Sequence, residues 1–397
     1  MRWGLAVISS VCPLGLALGT AGAEPPITSR DYAIDFYEGT ALGDTRMVGM
    51  GGAGIALIVG SAGTLLNASA PAVRPTTDTD RWSWDYHLDY LDGRFSTDYD
   101  NNGTVVPTAG DNDDGASLVT LGLGGRYGTW GIAATATIQS APLAGSLDLD
   151  ARAVRFRIAV AKFVERVDLS IGLGVQSVAF QIVATDDQEL FNISGGGVLA
   201  GATWTPRMRD FRVGLSVETA IIGGTVRAAA CDPAACMVDG GPSYILPDQV
   251  ESAARLGIGG AYRWSPTAWN QLVGGHFRDE QSLTVAADLW ITGPTQQGYG
   301  IEKFGMQELQ RSGSHTSVAA RLGAEVEALP GRLRLRAGSY WEPERFAGVG
   351  GRLHGTFGVE LRVFEFQLWG PRRGRLGLTT DLAKRYRNLG VSIGLWH

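Results

Sequence analysis

Residues 82–90 alternate without a break between two kinds of side chain. One face carries Trp82, Trp84, Tyr86, Leu88 and Tyr90, and the other carries Ser83, Asp85, His87 and Asp89. A period of two is that of a β-strand, whereas a helix repeats about every 3.6 residues. Because the same alternation returns in residues 154–160, 167–173 and 211–217, the chain is predicted to consist mainly of amphipathic strands.

The composition supports this interpretation and excludes several other classes. The chain has 56 glycines in 397 residues, about twice the usual share of about 7%. Glycine weakens helices, so this content favours strands, turns and close backbone contacts. The 11 tryptophans and 44% hydrophobic content argue against disorder. With a net charge of −6, we expect no nucleic-acid partner, and no sequence pattern calls for a cofactor.

The connections between the predicted strands alternate in length. A loop of about 25 residues follows the first strand and a tight turn follows the second. Long and short connections then alternate through most of the chain, with one exception at 264–281, which is long on the predicted periplasmic side. Outer-membrane barrels have an even number of antiparallel strands, short periplasmic turns and long external loops. The sequence therefore predicts an all-β transmembrane antiparallel barrel of about fourteen strands. The predicted strands are 82–90, 116–126, 129–140, 151–164, 166–181, 194–205, 211–228, 250–263, 282–292, 316–327, 332–341, 354–369, 374–385 and 388–396.

Both ends of the chain carry signals that fit export to the outer membrane. Residues 1–23 combine Arg2, an apolar run and the small residues 21–23, as a secretory signal peptide does. The last strand, 388–397, resembles the C-terminal signal that the barrel-assembly machinery recognises, although His397 follows Trp396 where a final Phe is usual. Tryptophans near strand ends fit interfacial girdles in contact with outer-membrane lipid. These features predict a Gram-negative outer-membrane location.

Two sequence features fall outside the strands. Cys231 and Cys236 flank Asp-Pro-Ala-Ala, and in an oxidising compartment this spacing predicts a small loop disulfide. Residues 47–66 are uncharged and long enough for a membrane-spanning helix. Their six glycines weaken that alternative and favour a compact segment packed against protein. The predicted domains are a signal peptide (1–23), a hatch that plugs the lumen (24–80) and a barrel (81–397).

The uncharged segment carries a family resemblance. Residues 42–72, with the Gly-Met-Gly-Gly-Ala run at 49–53 and Asn67, resemble the N-terminal hatch of the FadL-like outer-membrane transporters of long-chain fatty acids and other hydrophobic compounds. Ala68 stands where that family has proline. A second stretch, 246–250 continuing into 260–263 and 285–289, is similar to the family's passage from an external loop into a strand.

The resemblance implies passage of hydrophobic, fatty-acid-like small molecules through a barrel gated by its hatch. In such a barrel the solute enters from outside, passes two sites and leaves through the wall. The implied roles are flexibility for the hatch glycines, apolar contact for the larger side chains and a family motif for the asparagine. The alternative is that these residues simply pack the plug. The predicted path residues are Met47, Gly49, Met50, Gly51, Gly52, Gly54, Ile55, Leu57 and Asn67.

Two functional alternatives remain beside transport, and one loop carries a metal-binding pattern. Related barrels with the same hatch serve as scaffolds for secretion or surface-protein complexes, so a protein of such a complex is an alternative partner. An outer-membrane lipase would need a serine beside a histidine, and residues 312–315 lack the Gly-x-Ser-x-Gly context; we expect no enzyme. Residues 98–103 resemble the first half of a calcium loop, but the twelfth position is Ala109, so the closing acid is missing.

Overall fold

Fourteen strands of the computed structural model close into one antiparallel barrel. The structure describes residues 24–37, 43–76, 78–93, 98–104, 116–143, 149–184, 188–226, 228, 231–237, 243–273 and 277–395. The predicted signal peptide therefore lies outside the described residues. The barrel strands are β1 (Trp82–Gly93), β2 (Ala116–Tyr127), β3 (Trp130–Leu143), β4 (Leu149–Val164), β5 (Leu169–Ala184), β6 (Glu189–Trp204), β7 (Phe211–Glu218), β8 (Arg255–Trp264), β9 (Leu283–Thr292), β10 (Ser317–Leu329), β11 (Leu333–Glu342), β12 (Arg352–Gln367), β13 (Pro371–Ala383) and β14 (Tyr386–Leu395).

The predicted architecture is confirmed strand by strand. Each of the fourteen predicted segments overlaps one barrel strand, and neighbours in the chain are neighbours in the wall. The last strand closes the barrel on the first, with Asp92 opposite Leu389 and His87 opposite Gly394. The structure corrects two predictions. Residues 211–228 are not a single strand, because β7 ends at Glu218 and residues 221–222 then pair with residues 251–252. Residues 250–263 are not a single strand either, because Gln249–Ser252 is separate from β8.

The alternation sorts side chains between membrane and lumen. Leu121, Leu123, Leu173 and Val175 are about half exposed on the outer surface, whereas the polar residues of the opposite face are buried. An apolar outer band around a polar interior is the surface of a barrel that spans the outer membrane. Most long connections lie at one end, which is the external end by this topology, and the short turns lie at the periplasmic end. The exception is the connection from Trp264 to Leu283, which is long but lies at the periplasmic end.

No helix in the described part of the chain is long and apolar enough to cross a membrane.

The N-terminal segment instead runs through the lumen. It contains two short helices, α1 (Thr45–Gly49) and α2 (Gly60–Gly63), and a 3-10 turn at Ala70–Ala72. Helix α1 begins at Asp44, whose side chain caps it by accepting a hydrogen bond from Met47 N. We call residues 43–76 the hatch.

A separate cap closes the external end. The strand Ala33–Asp35 pairs in parallel with Gln249–Ser252 on one side and Gly298–Tyr299 on the other. Apolar residues of this sheet, of the neighbouring loops and of the outer ends of β3–β6 form one buried core that includes Phe180, Phe191 and Phe304. Cys231 and Cys236 form a disulfide in this cap. The external mouth is therefore covered by folded protein.

Candidate functional site

Carboxylates of the inner wall hold the hatch by its backbone. Asp288 Oδ2 on β9 accepts hydrogen bonds from Gly54 N (2.7 Å) and Ile55 N (3.0 Å). On β1, Asp89 Oδ1 accepts from Thr45 N at 2.9 Å, and Asp85 Oδ2 from Ser61 N at 2.8 Å. These N–H groups belong to turns and helix starts, where the hatch has no internal acceptor. The polar face of the barrel thus replaces the hydrogen bonds that water would otherwise make.

Asn67 joins the hatch to the opposite wall. Its Nδ2 donates to Ile55 O (3.1 Å) within the hatch and to Ala202 O (3.2 Å) and Thr203 Oγ1 (3.1 Å) on β6. Its Oδ1 accepts hydrogen bonds from Ser69 N and Ser69 Oγ. Asn67 is buried, and an amide side chain offers two donors and one acceptor, all of which are used here.

Glycines of the wall allow the hatch to pack without a gap. A Cβ at Gly338 would lie 2.3 Å from Gly51 N, and one at Gly323 would lie 2.2 Å from Met50 O. Gly51 itself has φ +59°, which other residues rarely adopt. Other strands meet the hatch through inward-facing glycines in the same way, namely Gly131, Gly172, Gly201 and Gly214. The high glycine content therefore has a specific use: contact between hatch and wall at backbone distance.

Charged side chains of β10–β13 form a series of ion pairs, and this charge ladder also includes one arginine of the hatch. Arg336 on β11 donates to Glu325 Oε2 on β10 (2.6 Å) and to Glu360 Oε2 on β12 (2.8 Å). Arg46 of α1 forms an ion pair with the same Glu325. Asp44 lies 3.5 Å from Arg375 of β13. The start of the hatch is thus bound electrostatically to the periplasmic half of the wall.

The hatch separates two cavities. The outer cavity, of about 120 Å³, is lined by Met47 and Leu66 of the hatch and by residues at the external ends of the strands, such as Thr292. The inner cavity, of about 150 Å³, is lined by Arg46 and Leu57 and opens toward the short turns. Consecutive residues of α1, Arg46 and Met47, therefore line opposite cavities.

The outer cavity combines aromatic and cationic groups. The Arg255 guanidinium lies 4.5 Å from the ring centre of Trp290 and that of Arg321 lies 5.6 Å from it. Arg157 pairs with Glu218 at 3.3 Å. Arg321 Nε is buried without a hydrogen-bond partner, and in the described part of the chain Arg321 has no carboxylate in ion-pair contact. A cavity of this kind suits an apolar body with one acidic group.

With this geometry established, comparison with solved structures identifies the fold. The chain is similar to the monoaromatic hydrocarbon channel CymD, with 14% identity, a TM-score of 0.51 and coverage of 91% of this chain and 97% of that chain. It is similar to the toluene transporter TbuX of Ralstonia pickettii, with 15% identity, a TM-score of 0.53 and coverage of 91% and 98%. For the deltaS2S3 mutant of the TodX monoaromatic hydrocarbon channel the values are 15%, 0.51, 89% and 97%.

The chain has the fold of these hydrocarbon channels. The expected resemblance to the FadL-like transporters is thereby confirmed for the fold, as is the outer-membrane location. No family model and no curated protein matches the sequence.

Within this channel fold, the predicted path residues fall into two groups. Met47 lines the outer cavity and Leu57 the inner one. The others line neither of these two cavities. Gly54 faces Ile58 and Leu66 of the hatch itself. The remaining residues contact the wall: Gly49, Met50, Gly51, Gly52, Ile55 and Asn67. Their role in a solute path remains a prediction, and the contacts described above account for them as residues that seat the hatch.

The residues missed by sequence reasoning lie on the wall, except for Arg46, which belongs to the hatch. Asp85 and Asp89 stood on the polar face of a strand whose pattern was clear, but the pattern does not reveal what that face contacts. Asp288 lay inside the second resembling stretch and received no role. Arg46 marked one end of the uncharged segment and was not considered as a partner of Glu325. A signal was available only for the strand face, since the pairing depends on which strands the hatch reaches.

The lipase alternative concerns the serines and the histidine of residues 312–315. Ser314 Oγ lies 3.2 Å from His315 Nδ1 on an exposed loop, while Ser312 Oγ donates to Asp35 Oδ2 at 2.6 Å. The serine–histidine contact and the serine–aspartate contact thus involve different serines.

Proposed function

We propose that this barrel passes hydrophobic, fatty-acid-like small molecules across the outer membrane by way of the two cavities on either side of the hatch. The observation that carries the proposal is the placement of Arg46 and Met47, neighbours in the chain, in opposite cavities. A shift of helix α1 would join the two cavities. An apolar solute gains about 0.8 kcal/mol per buried CH₂, so a path inside protein favours it over the polar lipopolysaccharide surface.

The cavity volumes favour a small solute for the hatch position described here. A cavity of about 150 Å³ holds benzene in an engineered protein, and the inner and outer cavities have about 150 and 120 Å³. This size supports a single aromatic ring or a short alkyl chain, in keeping with the hydrocarbons named for CymD and TbuX. A long-chain fatty acid requires displacement of the hatch. Arg321 is the group proposed to meet a carboxylate.

A pair of tryptophan substitutions tests passage through the lumen. Ala319 lines the outer cavity, whereas its neighbour Val318 is 49% exposed on the lipid side. At the inner cavity Ser282 and Leu283 form the same kind of pair. In a host lacking its own hydrophobic-compound channel, we expect A319W and S282W to abolish uptake of labelled toluene and of labelled hexanoate. V318W and L283W should retain it, and equal uptake by all four variants would contradict the proposal.

A second substitution tests the proposed carboxylate contact. Arg321→Gln keeps a polar side chain but removes the charge. Uptake of hexanoate should fall, while uptake of neutral toluene should not. Loss of both would indicate a damaged hatch, since Arg321 Nη1 also donates to Gly52 O at 3.3 Å.

The scaffold alternative predicts a different result. A barrel that takes up neither solute yet is purified with a protein partner in a fixed ratio would favour it. No contact in the described part of the chain favours the scaffold over transport.

A further inference from the structure

Three carboxylates from two distant segments meet in the external cap. Asp98 and Asp100 lie on the loop after β1, and Glu302 begins the 3-10 helix Glu302–Met306. One oxygen of each carboxylate lies within 4.8 Å of the other two. All three residues are buried, at no more than 4% exposure. Such an arrangement places like charges together out of water, which is unfavourable unless a cation balances them.

Two buried side-chain oxygens of these segments have no hydrogen-bond partner. Glu302 Oε2, an oxygen of one of these three carboxylates, has no hydrogen-bond partner, and neither does Oδ1 of Asn101, which lies between the two aspartates in the chain. Both residues are at least nine-tenths buried. Buried oxygen acceptors normally find a donor, because leaving one without a partner costs its full desolvation penalty. One of these two oxygens belongs to the carboxylate cluster and the other to the loop between its aspartates, and both are free to bind a cation.

The charges nearby do not supply that cation. Asp98 Oδ2 lies 3.0 Å from Arg385 Nε, but no ion pair reaches Asp100 or Glu302 from the residues that the structure describes. The guanidinium of Arg352 donates to the backbone oxygens of Asp98 and Tyr99 and forms its ion pair with Glu342. Burial raises the pKa of Asp100 well above its usual range, and the charge of Asp98 raises it further. Burial and the charge of Asp100 do the same for Glu302.

We propose that Asp98, Asp100 and Glu302 bind a calcium ion in the external cap. The donors are all hard oxygens, which suit Ca²⁺ and Mg²⁺ rather than zinc or copper. Ca²⁺ accepts six to eight oxygens in irregular geometry, whereas Mg²⁺ requires a near-ideal octahedron, so donors drawn from two separate segments favour calcium. Glu302 takes the place of the acid that a continuous calcium loop would carry at Ala109, which lies outside the described residues.

The proposed ion would join two parts of the cap. Residues 98–104 belong to one loop, and the segment that contains Glu302 also supplies Phe304 to the buried core of the cap. Gln310 Nε2 already donates to Asn102 O at 2.8 Å across the same junction. Calcium binding would therefore stabilise the external cap, and removal of calcium would loosen it.

Calorimetric titration tests the site. The full folded barrel, purified in detergent and stripped with EDTA, is titrated with CaCl₂ and, separately, with MgCl₂. The wild type should bind one Ca²⁺ per chain with a Kd on the order of 10⁻⁴ to 10⁻³ M, as extracellular modules do, and its melting temperature should rise. Glu302→Gln should weaken binding at least tenfold. The matched control is Glu308→Gln, whose partly exposed carboxylate pairs with Lys303 on the same segment and should leave binding unchanged.

Two results would overturn the proposal. One is the absence of saturable Ca²⁺ binding by the wild type; the other is equal affinity in wild type and E302Q, which would place the calcium on copurified lipopolysaccharide. Equal affinity for Mg²⁺ would overturn the choice of calcium. Folding of E302Q is verified by its heat-dependent mobility in gels. If E302Q fails to fold, Asp100→Asn is measured in its place. In a separate competition experiment, Tb³⁺ is bound to the wild type, and its luminescence must fall as added CaCl₂ displaces it.

Discussion

Arg46 of the hatch forms a two-point ion pair with Glu325 of the wall. Arg46 Nη2 lies 2.7 Å from Glu325 Oε1 and Arg46 Nε lies 3.0 Å from Glu325 Oε2. Glu325 is also bonded to Arg336, so a single carboxylate belongs both to the hatch and to the charge ladder of the wall. Because Arg46 lines the inner cavity as well, the proposed transport would couple movement of the hatch to widening of this cavity at this contact.

Arg46→Ala should therefore loosen the hatch and enlarge the inner cavity. Removal of one partner from a buried pair costs about 3–5 kcal/mol, although Arg336 continues to neutralise Glu325 and should reduce that loss. We expect higher single-channel conductance in planar bilayers and a lower free energy of unfolding. The control is Arg362→Ala, which breaks a pair with the half-exposed Glu365 and should cost no more than about 1 kcal/mol. Unchanged conductance in R46A would argue that the hatch is held elsewhere.

Asn67→Ala should release the other side of the hatch. The substitution deprives Ile55 O, Ala202 O and Ser69 N of their partner, and each buried polar group left unsatisfied costs about 1–3 kcal/mol. We expect faster cleavage within residues 43–76 by protease added from the periplasmic side of reconstituted vesicles. Asn192→Ala is the control, because Asn192 is exposed on β6. Similar protection in both variants would show that the Asn67 contacts do not hold the hatch.

Gly338→Ala tests the close approach of hatch and wall. The added Cβ would lie 2.3 Å from Gly51 N, whereas a Cβ at Gly355 on the adjacent strand would meet nothing within 4 Å. Overpacking of this kind typically costs about 1–3 kcal/mol. The unfolding midpoint, followed by heat-dependent gel mobility, should fall in G338A and stay constant or rise in G355A. Equal midpoints would mean that the hatch adjusts to the extra methyl group without loss.

The carboxylate cluster of the cap should give a distinctive pH dependence. The folded-state pKa values of Asp98, Asp100 and Glu302 are raised, chiefly by burial. The folded state then holds protons more tightly than the unfolded state, so stability falls as pH rises from the ordinary carboxyl pKa, near 4, through the raised values. In EDTA the barrel should melt at a higher temperature at pH 5 than at pH 7.5. Added CaCl₂ should raise the melting temperature at pH 7.5 more than at pH 5. Glu302→Gln should reduce the difference between the melting temperatures at the two pH values in EDTA. A melting temperature that does not depend on pH would contradict this account.

Strand number and order were predictable from the sequence because lipid and lumen impose opposite requirements on alternate residues. The pattern of residues 82–90 identifies β1 and its membrane face without reference to any other part of the chain. It also indicates that Asp85 and Asp89 face inward. Long and short connections then distinguish the two ends of the barrel, because periplasmic turns are short and external loops are longer.

The tertiary structure alone decided what each inward side chain contacts. Asp288 binds Gly54 and Ile55, and Glu302 joins Asp98, through contacts between residues far apart in the chain. Such pairs depend on the depth of the hatch in the lumen and on how the loops fold over the mouth. Alternation is a local property of a strand, because it reflects the two environments on either side of the wall. The seating of the hatch and the carboxylate cluster are global properties, since they arise only when distant segments are brought to hydrogen-bonding distance.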